Sequence, residues 1–201
     1  NQRTEARSGI QQLLTDSTAP TADANARRAL EEEALQILQS DPSHPAQVWL
    51  LRMLELSGSE ASVPVIGSYL NSTDHELRDC ARRALVANPA SEATTVLYQA
   101  MLRSSDAEKR AYIDGFAFRG DGRAAKAIVP LLKSDDADTV VQAANALIVL
   151  GEDTVYSEVK AAHASAPEGS RAAIELAMLA TGADASTCKA LNSSAPNVDV
   201  A

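Results

Sequence analysis

The side chains that could do chemistry in this chain are three histidines and two cysteines. They are His44, His75, His163, Cys80 and Cys188, and they are widely spaced in a chain of 201 residues. Metal binding and nucleophilic catalysis need such side chains in close groups, and the chain has no CxxC pair, no metal-spaced Cys/His cluster, no P-loop and no GxSxG turn. The sequence therefore predicts no catalytic residue, no metal ligand and no cofactor, and it predicts that the chain is not an enzyme.

A glycine or asparagine recurs about every 31 residues, and this period organises the elements that carry those side chains. A repeat of this length is typical of a solenoid of stacked two-helix units. Each recurring residue is expected to end a helix in the left-handed conformation. The predicted fold is all-α, an α-α superhelix of about five helical hairpins with short capping helices near 6–14 and 184–192. The recurring residues are Gly58, Asn88, Gly120, Gly151 and Gly182.

The starts of the second helices are marked by short side chains that carry oxygen. Asp41, Thr73, Ser105 and Asp135 are predicted N-caps, since each can accept a hydrogen bond from a free backbone N–H of the first turn. We expect each hairpin to consist of a first helix, a tight turn and a second helix. The first helices are predicted at 23–39, 60–71, 91–103, 122–133 and 153–163, and the second helices at 42–57, 74–87, 106–119, 136–150 and 167–181.

Apolar residues follow helical spacing and predict one continuous core. In the helix at 74–87 these residues are Leu77, Ala81, Ala84 and Leu85. The run Glu31–Glu33 is instead expected to be an exposed charged face. We expect a single solenoid domain over 1–192, followed by a flexible tail at 193–201 that has polar residues and no period.

The charge balance bears on the class of partner. The chain has 27 acidic and 18 basic side chains, a net charge of −9, which repels phosphate backbones and anionic lipids. No apolar run is long enough to cross a bilayer. We therefore expect no nucleic acid and no membrane insertion, and a monomer that binds a protein. The chain begins at Asn1, so it is expected to be processed or cut, which leaves exported, periplasmic and cytoplasmic locations open.

A second recurring feature is an aspartate followed four residues later by an arginine. Asp74 precedes Arg78 and Asp106 precedes Arg110, and the segment 143–151 reads A-A-x-A-L-x-x-L-G. On these residues the chain resembles the HEAT-repeat family over about residues 20–190, in particular the short bacterial units also found in phycobilin-lyase-like proteins. The resemblance implies a scaffold or adaptor for protein partners. His75-Glu76 is similar to one iron-binding pair of deoxyhypusine hydroxylase, but it occurs once, so the ligand set is incomplete.

The resemblance also implies which surface a partner would meet. In HEAT solenoids the second helices line the concave face, and the aligned outward positions form a candidate partner-binding ridge. One column of this ridge is apolar throughout, which fits either packing between neighbouring helices or an apolar stripe for a partner. Two other roles stay open: an accessory domain or fragment of a larger enzyme, and a carrier of a small molecule or chromophore in the concave groove. The ridge residues are Arg82, Arg83, Val86, Asp114, Phe118, Asn145, Ile148 and Glu175.

Overall fold

The protein is described by a computed structural model that covers Gln12 and residues 24–182. Between residues 24 and 182 the chain forms helices and turns and no strand, which confirms the all-α class of helical hairpins. Except for Gln12, the predicted capping helices at 6–14 and 184–192 and the tail at 193–201 lie outside the described residues. Two compact units divide between Arg103 and Ser104, and we call them unit 1 and unit 2. The expectation of one domain over 1–192 stays a prediction.

From residue 24 onwards, unit 1 contains two complete hairpins and the first helix of a third. Its first helix α3 packs against both α1 and α5, and its second helices α2 and α4 pack side by side. The predicted helix at 60–71 begins as a 3-10 turn, Glu60–Ser62, and Pro64 stands at its second α-helical position, where no N–H is needed. The helices are α1 Ala24–Gln39, α2 His44–Ser57, α3 Val63–Tyr69, α4 His75–Ala87 and α5 Ser91–Leu102.

Unit 2 has the same alternation of first and second helices, but one of its first helices is interrupted. The second helices α6, α8 and α10 pack in sequence, and α9 packs on α10. The predicted helix at 122–133 is broken into a 3-10 turn, the short helix α7 and a second 3-10 turn that contains Pro130. Proline lacks the N–H that would continue the α-helical ladder, which explains this break. The helices are α6 Asp106–Arg119, α7 Ala125–Ile128, α8 Ala137–Leu150, α9 Tyr156–Ser165 and α10 Glu168–Ala180.

The helix starts differ from the prediction by one or two residues. Asp74, not Thr73, caps α4, and its carboxylate accepts a hydrogen bond from the Leu77 N–H at 3.0 Å. Asp136 stands in place of Asp135 before α8, where its carboxylate accepts the Thr139 hydroxyl at 2.6 Å, and Ser43 stands in place of Asp41 before α2. The carboxylate of an aspartate in extended backbone can accept the N–H of the third helical residue. The aspartate therefore stands just before the helix as its N-cap and is not the first residue of the helix. Ser105 is the N-cap of α6, as predicted.

The helices end in two different backbone conformations. Gly120 and Gly151 adopt the predicted left-handed conformation, with φ of 62° and 61°. Gly58 and Asn88 do not, because their φ and ψ angles, −65° and 138° for Gly58 and −66° and 127° for Asn88, belong to extended backbone. Gly58 is needed for space instead: a Cβ there would lie 2.6 Å from the Leu54 carbonyl oxygen. Sequence periodicity therefore located this residue correctly and assigned it the wrong reason.

The core confirms the helical pattern and adds one unexpected acid. Leu77, Ala81, Ala84 and Leu85 are all buried, as predicted. Glu31 was expected in an exposed run, yet it is only 4% exposed, and its carboxylate accepts the backbone N–H of Ser59 at 2.6 Å. A buried carboxylate needs such a donor because it has lost its hydration.

The recurring Asp–Arg spacing has a structural purpose. Arg78 donates hydrogen bonds to the carbonyl oxygens of Ser72 and Thr73, at 2.9 and 3.0 Å, and so fixes the turn before its own helix. Arg110 instead reaches the carboxylate of Asp136 in the next hairpin, at 3.4 Å. Both arginines therefore hold turns and helix starts, which is a structural role and not a chemical one.

Candidate protein-interaction site

The residues that could do chemistry do not come together in the described part of the chain. His44 lies beside Asp74, His75 is exposed, and His163 lies 2.9 Å from Glu175. Cys80 is a buried free thiol, and Cys188 lies outside the described residues. No group of three or more His, Cys, Asp or Glu side chains within residues 24–182 could hold a metal ion.

In unit 1 the ridge residues belong to α4, and an aspartate holds both arginines. Arg82 donates to one oxygen of Asp79 at 2.6 Å, and Arg83 Nε lies 3.5 Å from the other oxygen. The Arg82 side chain is only 19% exposed, so Arg82 and Arg83 do not form a fully solvated helix face. Val86 is half-buried one turn further along. In this part of the ridge both guanidinium groups therefore lie against the Asp79 carboxylate.

Opposing effects act on the guanidinium of Arg83. Partial burial favours the neutral form, but the charges of Glu55 and Asp79 and the nearby Cys80 sulfur stabilise the cation, and its pKa is raised. Arg83 therefore stays protonated and committed to neighbours on its own helix and on α2. The unit 1 part of the ridge therefore presents guanidinium groups that carboxylates of the same chain already hold.

In unit 2 the ridge runs along α6 and α8, which are aligned by one glutamine. Gln142 donates hydrogen bonds to the Arg110 carbonyl oxygen, at 3.2 Å, and to the carboxylate of Asp114. Phe118 lies one turn after Asp114 on α6, and Ile148 lies beyond Gln142 on α8. Phe118 is 80% exposed and Ile148 is half-buried. Both are apolar ridge residues, and Phe118 shares one face of α6 with Asp114, four residues before it.

The remaining ridge residues of unit 2 have different surroundings. Asn145 on α8 is exposed, whereas the carboxylate of Glu175 on α10 turns towards His163 on α9. The resemblance to HEAT repeats also implies outward positions for Gly115 and Ala144, and this expectation is wrong, because both residues are buried. Their small size allows α6 and α8 to approach closely, so they contribute packing and no contact surface.

The apolar column changes character along the chain; its members are Leu54, Val86, Phe118, Ile148 and Leu179. Leu54 in unit 1 is fully buried, Val86 is half-buried, and Phe118 in unit 2 is the most exposed of the large apolar side chains that the structure describes. Leu179 on α10 is also exposed. Packing between neighbouring helices therefore accounts for the start of the column, whereas Phe118 is left uncovered.

One group was missed by reasoning from the sequence. His44, Val48 and Arg52 recur at i, i+4 and i+8 on α2, and with Trp49 and Glu76 they line a cleft in unit 1. The spacing was visible in the sequence. Its meaning was not, because Glu76 comes from another hairpin and joins the group only in the folded chain.

Comparison with known families agrees with the helical architecture. Residues 31–113 match the family model described as HEAT repeats. No curated protein matches the chain. The match confirms the resemblance to HEAT repeats, while the phycobilin-lyase-like subtype stays a prediction. Among the described helices, none combines the length and apolar character that a bilayer crossing needs.

Proposed function

Because residues 31–113 belong to the HEAT-repeat family, whose members generally mediate protein interactions, we propose that this chain is a non-catalytic scaffold or adaptor. Its binding surface is the unit 2 part of the ridge, formed by α6, α8 and α10. The observation that carries the proposal is the 80% exposure of Phe118 on a helix whose inner face is fully packed. Phe116 and Ile113 on that inner face are both buried.

A packed helix makes Phe118 a suitable anchor. The backbone under Phe118 is already ordered, so binding costs little additional conformational entropy. Burying an exposed phenylalanine side chain supplies roughly 1.5–3 kcal/mol, and aromatic anchors of this kind dominate many interfaces. Ile148 extends the apolar contact along α8.

The negative charge of the unit 2 ridge favours a partner with basic side chains. Of the five ridge residues in unit 2, Asp114 and Glu175 are acidic and none is basic, and the whole chain carries a net charge of −9. The partner that fits is a protein segment, such as an amphipathic helix, with an apolar side chain flanked by lysine or arginine. Such complementarity raises the association rate and excludes acidic competitors.

The test compares two exposed apolar residues of unit 2. Proteins that bind the tagged chain in extracts of its source are identified by mass spectrometry, and a purified partner is then titrated by calorimetry. Phe118→Ala should weaken binding by 10-fold or more, about 1.4 kcal/mol or above. Val149→Ala is the matched control, because Val149 is also exposed but lies outside the ridge.

Both variants should keep the helical circular dichroism of the parent. Equal partner affinity of Phe118→Ala and the parent chain would refute the proposed surface. Catalytic turnover of any substrate by the purified chain would refute the non-catalytic role.

A further inference from the structure

The last described hairpin brings a histidine and a glutamate into contact, His163 on α9 and Glu175 on α10. His163 Nε2 lies 2.9 Å from Glu175 Oε1, and the two side chains are 20% and 29% exposed. An ionised carboxylate only accepts hydrogen bonds, so Nε2 carries a hydrogen whether the imidazole is neutral or protonated. A second proton, on Nδ1, therefore changes the contact from negative to neutral while the same hydrogen bond is kept.

Histidine is the side-chain type whose charge ordinarily changes between about pH 5 and 8. His163 is the only histidine of the sequence after Arg103. Carboxylates titrate below this range, and lysine and arginine titrate above it. The charge of unit 2 near neutral pH therefore depends mainly on His163.

Glu175 supplies the carboxylate within ion-pair distance of His163 in the described part of the chain. Arg171 stands one turn before Glu175, but it donates to the Ala166 carbonyl oxygen at 3.2 Å and so holds the end of α9. Besides α10, two 3-10 turns, Val129–Lys133 and Asp153–Val155, pack against α9. The other charged residues of α9 and of these elements are Lys133, Asp153, Glu158, Lys160 and Glu168.

Glu175 is also one of the acidic residues of the unit 2 ridge. Its contact with His163 uses Oε1, and the partly exposed side chain leaves the carboxylate charge effective at the surface. A basic side chain of a partner is attracted by this carboxylate and repelled by an imidazolium beside it. Protonation of His163 therefore lowers the affinity of the ridge for a basic partner.

We propose that the contact between His163 and Glu175 makes partner binding at the unit 2 ridge depend on pH, with weaker binding when His163 is protonated. The proposal rests on the proposed function, since Glu175 acts here as a ridge residue. Linkage is reciprocal, so a basic partner that binds must also favour loss of the proton from His163. Binding at a pH where histidine is partly protonated should therefore release protons.

The probe is the synthetic amphipathic peptide acetyl-LKKLLKLLKKLLKL-amide, because lysine keeps its charge between about pH 5.5 and 8. Its affinity for the whole chain is measured by calorimetry at both ends of this range. The parent chain should bind the peptide about 5-fold more weakly at the acidic end. Proton release near the middle of the range is measured from the dependence of the binding heat on the ionisation enthalpy of the buffer.

His163→Gln tests the assignment to this side chain. Glutamine places a donor where Nε2 lies but gains no charge, so this variant should bind equally at both pH values and release no protons. His75→Gln is the matched control, because it removes an exposed histidine from α4 in unit 1 and should keep the pH dependence of the parent.

The outcomes separate this proposal from the proposed function. Equal parent affinity at both pH values, or the same pH dependence in His163→Gln, would overturn the role of His163 alone. Phe118→Ala is measured near pH 8, where histidine is neutral, and tests the ridge itself. No saturable peptide binding by the parent, or unchanged affinity of Phe118→Ala, would overturn the ridge as a site for a basic partner, and the role of His163 with it.

Discussion

Replacing Gly58 by alanine should destabilise unit 1, although the backbone there suits any residue. The φ and ψ angles of Gly58 are −65° and 138°, so alanine would meet no conformational strain. The obstacle is space. A Cβ would lie 2.6 Å from the Leu54 carbonyl oxygen, 2.9 Å from Ser62 Oγ and 3.1 Å from Asn88 Nδ2.

The atoms in the way belong to a hydrogen-bonded group that joins three helices. Asn88 Nδ2 donates to the Ser59 carbonyl oxygen at 2.8 Å and to Ser62 Oγ at 3.2 Å. Glu31 accepts the Ser59 N–H on the other side. A methyl group at Gly58 must push the Leu54 carbonyl or this group aside, because backbone cannot yield as a flexible side chain does.

The magnitude follows from two opposing effects. Overpacking of a filled site costs about 1–3 kcal/mol, and alanine recovers roughly 0.4–1 kcal/mol by restricting the unfolded chain. We expect the free energy of unfolding to fall by about 1–2 kcal/mol. With a urea dependence of about 2 kcal/mol/M, the unfolding midpoint should fall by roughly 0.5–1 M.

Urea unfolding is followed by two signals. Fluorescence of Trp49 in α2 reports on unit 1, and circular dichroism at 222 nm reports on all helices. Gly169→Ala on α10 is the control, since a Cβ there meets no atom within 4 Å and should stabilise by a few tenths of a kcal/mol. A Gly58→Ala midpoint at or above that of the parent would refute the packing argument.

Three further predictions concern helix ends. Asn88→Ala should lower the free energy of unfolding by about 2 kcal/mol, measured by the same titration, because Asn88 is 2% exposed and its partners would lose their bonds. Gly151→Ala should cost about 1 kcal/mol by thermal circular dichroism, because φ is 61° there; a gain would contradict the left-handed end. The hydrogen bond from the Leu77 N–H is the main cause that lowers the pKa of Asp74. The ionised Asp74 carboxylate therefore stabilises the folded chain fully above its unfolded pKa of about 3.9, and this stabilisation is lost as pH falls through the lower folded pKa. Asp74→Asn, which can still cap α4, should lose less stability below about pH 4 than the parent in acid titrations.

The fold could be predicted because its signals are local. Helix starts and ends depend on residues within one turn, and Leu77, Ala81 and Leu85 follow the period of a single helix. The same locality explains the errors. The choice between Thr73 and Asp74 as the cap depends on one backbone torsion, which composition does not specify.

The candidate sites were predicted less completely. Phe118 was placed on the correct helix, but its exposure depends on how α6 and α8 pack, and Leu54 in the same column is buried. The cleft around Trp49 combines α2 with Glu76 from the next hairpin. Such a group has no complete signature along the chain, because Glu76 is separated from Arg52 by 24 residues.

The sequence by itself determined a chain of repeating helical hairpins, since capping side chains and apolar periodicity act over a few residues. Only the tertiary structure decided that Glu31 is buried against Ser59, that Gly58 is required for space, and that Phe118 stays uncovered. Burial and close approach depend on the distances between different helices. A repeat fixes those distances only after its neighbours have packed against it.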